Sequence, residues 1–160
     1  MSVWGALVGG FLGTVVLTTT LRAASELKLT RMDIPFLLGT AFSDDRRRAK
    51  VIGYALHFSA GLVFALIYWV AFRVLGESSW WLGGVFGLAH VAFAGSVLVN
   101  VLLPAVHPRM GTRATSARST PLLEPPGFML INYGRQTPVV MVVAHLAYGM
   151  IVGTFVAAAG

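Results

Sequence analysis

The chain contains no cysteine. Disulfides, covalent c-type haem attachment and thiolate metal sites are therefore excluded. Charge is nearly as scarce: Asp, Glu, Lys and Arg supply 11% of the 160 residues, where soluble domains carry about 25%. Acids are the scarcest, six against twelve basic residues. With 56% hydrophobic residues and a mean hydropathy of +0.77, so few charges cannot cover a water-facing surface, and the chain reads as an integral membrane protein. No H-E-x-x-H, G-x-S-x-G or phosphate-cradling P-loop occurs, which removes those metalloprotease, hydrolase and nucleotide-binding readings. Four scattered histidines fall short of the ligand clusters of a membrane di-iron oxygenase. The expected protein is non-enzymatic.

What the chain does have is long apolar runs. Four of them, 3–21, 51–72, 80–106 and 138–159, are close to or above the ~20 residues that a ~30 Å hydrocarbon core requires. The expected fold is all-α, a four-helix membrane bundle forming one transmembrane domain. The first run lacks the basic flank and cleavage site of a signal peptide, so it is read as a helix. The linker between runs one and two holds Arg22, Lys28, Arg31, Arg46, Arg47, Arg48 and Lys50, and the linker between three and four holds Arg109, Arg113, Arg118 and Arg135. Only Arg73, of twelve basic residues, lies in the middle loop. The positive-inside rule makes both linkers cytoplasmic and both termini external, with Trp80 and Trp81 in an outer aromatic belt. The net charge of +6 then points to anionic lipid headgroups rather than nucleic acid, with Arg46, Arg47, Arg48 and Lys50 as the densest contact.

The halves 1–76 and 77–160 echo each other. Gly9-Gly10-x-x-Gly13 aligns with Gly83-Gly84-x-x-Gly87, Asp33-Ile-Pro35 with Glu124-Pro-Pro126, and His57-x-x-x-Gly61 with His145-x-x-x-Gly149. This shared order reads as a tandem duplication of a two-helix unit, related by an axis along the membrane normal. Gly5, Gly9 and Gly13 share one helix face, as do Gly83 and Gly87, and Gly149 and Gly153. Small residues let helix backbones approach closely in lipid, so these glycines, with Gly61, are the expected packing positions. A face left free would serve a homo-oligomer or a larger membrane complex. The linker stretches 32–42 and 122–134 are apolar and carry proline, and the reading preferred is that they lie in the cytoplasmic interface. The alternative folds them back over the bundle. The Thr/Ser/Arg-rich stretch 110–121 reads as a mobile loop.

Histidine is the one residue inside the runs whose ordinary titration lies near neutral pH. At 1.5 Å per residue His57 lies roughly 9 Å and His145 roughly 10 Å from the cytoplasmic end, and His90 roughly 15 Å from the outer tryptophans. His107 falls at the interface, and Asn100 is the other strongly polar residue within a run. Three readings stay open. Each histidine can hydrogen-bond across helices. His57 and His145 can face each other and ligate the iron of a haem b or another metal, with His90 a third participant. Or the histidines can line a path for protons or a solute, as intramembrane ionisable groups do. No Asp, Glu, Lys or Arg within the runs accompanies them.

The strings "HPRMG", "PPGF" and "AHLAYGMIVG", with "MDIPFLLGTAF" leading to "LHFSAGLVFALIY", resemble small bacterial inner-membrane proteins of a domain-of-unknown-function type. The resemblance implies a bacterial four-helix membrane protein and carries no activity.

Overall fold

A computed structural model describes residues 1–110 and 123–159. Among them the fold is all-helical, with four helices long and apolar enough to cross a membrane. Helix α1 (Val3–Glu26) starts at Ser2, whose hydroxyl accepts from the Trp4 N–H at 3.2 Å. Its threonines satisfy their own hydroxyls: Thr14 donates to the Gly10 carbonyl at 2.7 Å and Thr18 to the Thr14 carbonyl at 2.6 Å, so neither carries an unmet donor into the apolar interior. Helix α2 (Ile34–Gly39) is capped by Asp33. Helix α3 (Arg46–Leu75) is capped by Asp45 and closed by Gly76 at φ +72°, the left-handed conformation that suits glycine. Helix α4 (Trp80–Ala92) runs into a π-helical stretch, Phe93–Leu102, and then α5 (Leu103–Val106). A short 3₁₀ segment (Phe128–Tyr133) precedes helix α6 (Thr137–Ala158).

The observed spans overlap the four apolar runs, and α3 begins five residues earlier than hydropathy alone suggests. Asp45 explains this, since its carboxylate accepts from the Arg48 N–H at 2.8 Å and starts the helix among charged residues. The π-helical stretch has local causes as well. Asn100 donates from Nδ2 to the Gly95 and Ser96 carbonyls at 3.2 and 3.1 Å, which competes with the regular ladder. Pro104, which follows, has no N–H to give.

Helix α6 is the central element, half buried along its apolar window where α3 is 17% buried. It packs on α1 and on α4, and α1 packs in turn on α3. Glycine makes these approaches close. Gly5 and Gly9 lie against Phe155 and Val152, and Gly13 against Tyr148. A Cβ on Gly149 would stand 2.1 Å from the Gly83 carbonyl oxygen, and one on Gly83 the same distance from the Gly149 oxygen. Helices α3 and α4 meet differently, through aromatic side chains: Tyr68 and Phe72 of α3 contact Phe86 of α4 at ring-centroid distances of 5.4 and 5.0 Å. The bundle is therefore tight along α1–α6–α4 and wider between α3 and α4.

The linkers fold back over one end of the bundle, which corrects the interfacial reading. Met32, Leu37 and Leu130 are at most 6% exposed and belong to the core. The reason is again close backbone packing: a Cβ on Gly53 would stand 1.6 Å from the Pro35 oxygen, so α2 rests directly on α3. The two linkers are tied together. Thr30 and Thr137 share a hydrogen bond of 2.8 Å. The Arg31 N–H donates to the Tyr133 carbonyl at 2.7 Å, and its guanidinium reaches the Asn132 carbonyl at 2.7 Å and Glu124 at 3.1 Å. Asp44 pairs with Arg109. The expected mobile loop over 110–121 lies, Met110 apart, outside the described residues.

Candidate functional site: a histidine-lined cavity in the bundle core

His57 on α3, His90 on α4 and His145 on α6 line one cavity of about 130 Å³. All three are at most 9% exposed. Thr14, Tyr148 and apolar residues complete the wall, the folded-back linkers close one end through Met32, Leu37 and Leu130, and the π-helical stretch contributes Ala94, Leu98 and Val99. π-Helical turns often accompany functional sites.

Hydrogen bonding sets two of the three tautomers. His145 Nδ1 lies 2.9 Å from the Met141 carbonyl, one turn earlier on the same helix. A carbonyl only accepts, so Nδ1 carries the proton and the neutral ring leaves Nε2 with a bare lone pair. His57 Nε2 lies 3.1 Å from Thr18 Oγ1. That hydroxyl already gives its proton to the Thr14 carbonyl, so His57 Nε2 donates and Nδ1 is left to accept. His90 differs: its Nδ1 is buried without a hydrogen-bond partner in the protein, as is the Tyr68 hydroxyl beside it. Both atoms are sealed from water-sized space, and Tyr68 does not line the cavity.

Ring contacts gather these groups. His90 stacks on Phe64 at 3.7 Å between centroids and meets His145 edge-on at 4.8 Å. Tyr148 and Tyr68 stand edge-on to His90 at 5.7 and 6.0 Å. The Tyr148 hydroxyl donates to the Gly61 carbonyl at 2.5 Å, tying α6 to α3. Thus His145 meets His90 across the α4–α6 contact, while His57 turns toward α1. Gly61 accounts for that turn: its missing side chain leaves room for Thr14, whose Oγ1 would be 2.0 Å from a Cβ there, and α1 thereby comes close enough for Thr18 to reach His57.

The other sequence-selected residues sit elsewhere. His107 is 2% exposed: its Nε2 donates to the Leu37 carbonyl at 3.0 Å and its Nδ1 accepts from the Arg109 N–H at 3.1 Å, so both nitrogens are satisfied and the ring locks the linker to α2. Asn100 also gives a hydrogen bond to the Gly127 carbonyl at 3.1 Å. Gly153 lies against Ser79 at the far end of the α4–α6 contact, and Gly87 against the His145 carbonyl. Among the cationic four, Lys50 pairs with Asp33 at 3.2 Å and Arg46 stands over the Phe36 ring at 5.8 Å. Arg47 and Arg48 are exposed. Among the described residues, no three His, Asp or Glu side chains gather closely enough to hold a metal ion.

A second, smaller opening of about 40 Å³ lies on the linker side, lined by Thr18, Arg22, Ser25, Asp33 and Tyr54. His57 belongs to its wall as well as to the cavity's. In the sequence, depth along the helices matches His57 with His145, but nothing there marks the His90–His145 contact, the bond from Tyr148 to Gly61, or the linker floor. The apolar character of 32–42 and 122–134 was the one available signal for the last. Compared with family models, with curated proteins and with solved structures, the chain matches none.

Proposed function

We propose that this chain is a small, non-enzymatic protein of a bacterial inner membrane that serves as an accessory subunit, with its basic linkers in the cytoplasm and both termini outside. The observation that carries the reading is the outer face of α3. Val63, Ile67, Val70 and Val74 are each more than half exposed, and an apolar face of that length needs lipid or another helix against it. The two linkers hold eleven of the chain's twelve basic residues, which supports the orientation. A tandem origin agrees with each linker folding a short helix, α2 or the 3₁₀ segment, before its second long helix.

Two measurements test this. Single cysteines at Ser2 and Ser78 label from outside intact cells and one at Ser43 does not; the reverse pattern inverts the topology. A photo-cross-linking residue at Ile67 or Val70, in native membranes, yields one protein adduct of reproducible mass, which is either a second copy or a partner. Adducts to lipid alone at both positions defeat the accessory reading.

A second reading is favoured by the cavity that His57, His90 and His145 line together: the bundle core binds a ligand. Haem b is the poor form of it. A cavity of about 130 Å³ is on the scale of the ~150 Å³ that holds one benzene ring and is far too small for a haem macrocycle, and the rings in contact are His90 and His145 rather than His57 and His145. A metal ion held by fewer than three protein ligands, or a solute passing through, are the remaining forms. A visible spectrum and metal analysis of protein from haem-replete, metal-replete cells separates them.

A further inference from the structure

We propose that the histidine-lined cavity binds a small neutral hydroxyarene, a phenol-type ring that is either a free molecule or the headgroup of a membrane-borne hydroquinone. The inference rests on the ligand-binding reading and gives its ligand a chemical class. Size is the first argument. An apolar cavity of about 150 Å³ holds a benzene molecule, and this one is about 130 Å³. Charge is the second. No Asp or Glu lines the cavity, so a cation there would be buried without a counter-charge, at an effective cost of several kcal/mol.

Hydrogen bonding is the third argument. His145 Nε2 can only accept, because Nδ1 holds its proton against the Met141 carbonyl. A purely apolar guest leaves that nitrogen unmet. A single water satisfies it and leaves most of the apolar volume empty. A ring bearing a hydroxyl does both: its O–H donates to His145 Nε2, and its ring lies among Phe64, His90 and Tyr148 in the edge-to-face contacts that aromatic rings favour. Entry from the linker side is marked by His57, which stands between the cavity and the polar opening beside Arg22 and Asp33.

The test is ¹⁹F NMR of the full chain in lipid nanodiscs with 4-fluorophenol. The expected result is a distinct bound resonance with a nuclear Overhauser contact to the Tyr148 ring. Ala94→Leu, which fills the cavity, abolishes the resonance, and His145→Phe weakens binding at least tenfold. Should Ala94→Leu fail to fold, the Tyr148 contact in the unaltered protein decides alone. No bound resonance at millimolar probe, a resonance without the Tyr148 contact, or one indifferent to both substitutions overturns the proposal. A fluorinated hydroquinone with a decyl chain separates the sources: tenfold tighter binding than fluorophenol assigns the ring to a lipid headgroup, and equal or weaker binding to a free phenol. Haemin, Zn²⁺ and Cu⁺ titrations separate the failures. If one of these binds and fluorophenol does not, the class proposed here falls and the ligand-binding reading stands; if none binds, both fall.

Discussion

Placing a methyl group at Gly149 tests how closely α4 and α6 approach. In Gly149→Ala the new Cβ stands 2.1 Å from the Gly83 carbonyl oxygen and 2.9 Å from the Gly87 nitrogen. Both are backbone atoms, so no rotamer change relieves the contact, and the helices must part by about 1 Å to reach ordinary van der Waals distance. A radial gap of 0.5–1 Å forfeits a quarter to a half of each dispersion contact, and overpacking a tight site costs about 1–3 kcal/mol. The backbone-to-backbone geometry puts this site at about 2–3 kcal/mol, roughly a 30- to 140-fold change in the unfolding equilibrium. Reversible unfolding in mixed micelles, followed by steric trapping or by far-UV circular dichroism, measures it. Gly84→Ala is the internal control, because its Cβ would meet only the side-chain ends of Leu146 and Met150 at 3.2 and 3.3 Å, and its cost stays below about 1 kcal/mol. If Gly149→Ala costs no more than Gly84→Ala, the backbones are not in contact and the reasoning fails.

Three further outcomes follow from the same geometry. Thr18→Val removes the acceptor of the His57 Nε2–H and destabilises by about 1–3 kcal/mol, while Thr18→Ser restores the bond; equal stability of the two variants refutes the His57–Thr18 hydrogen bond. Asp33→Ala loses the cap of α2 and costs about 0.5–2 kcal/mol, seen as faster protease cleavage near Phe42 with α6 unaffected. The Tyr133 phenol is raised above its ordinary range by burial and by the Glu124 carboxylate, against the opposing pull of Arg31. A raised acid favours the protonated form in the folded state, so the stability from its hydrogen bond to the Glu124 carbonyl is complete below about pH 10 and is lost as pH rises through the folded-state value. Linker amide exchange accelerates there in the natural chain, and Tyr133→Phe shows faster exchange at neutral pH with no such step.

Much of the fold was legible because lipid imposes one rule. Each apolar run must satisfy its own backbone, so length and hydropathy locate helices directly. The exceptions are residues whose effect is not hydropathy. Asp45 starts α3 inside a charged stretch, and Asn100 with Pro104 sets a π-helical turn in a run that reads as plain apolar helix. The linkers were ambiguous because an apolar segment with proline suits both an interface and a bundle end; Gly39 and Gly53, which let α2 touch α3, decide between them and carry no hydropathy signal. For the site, depth was readable and direction was not. A rise of 1.5 Å per residue puts His57 and His145 at one level, but which way each ring turns depends on the neighbouring helix. Gly61 admits Thr14 and draws His57 to α1, while Gly87, lying against the His145 backbone, brings α4 close enough for His90 to meet His145.

His90 and His145, from helices α4 and α6, meet at the wall of one cavity in the bundle core. Solid-state NMR of ¹³C,¹⁵N-histidine-labelled protein in bilayers tests it most directly. The expected result is a through-space correlation between two imidazole rings, matching the centroid distance of 4.8 Å, that disappears in His90→Phe and in His145→Phe and persists in His57→Phe, with His145 in the Nδ1–H form. An absent correlation, or one that depends on His57 instead of His90, contradicts it.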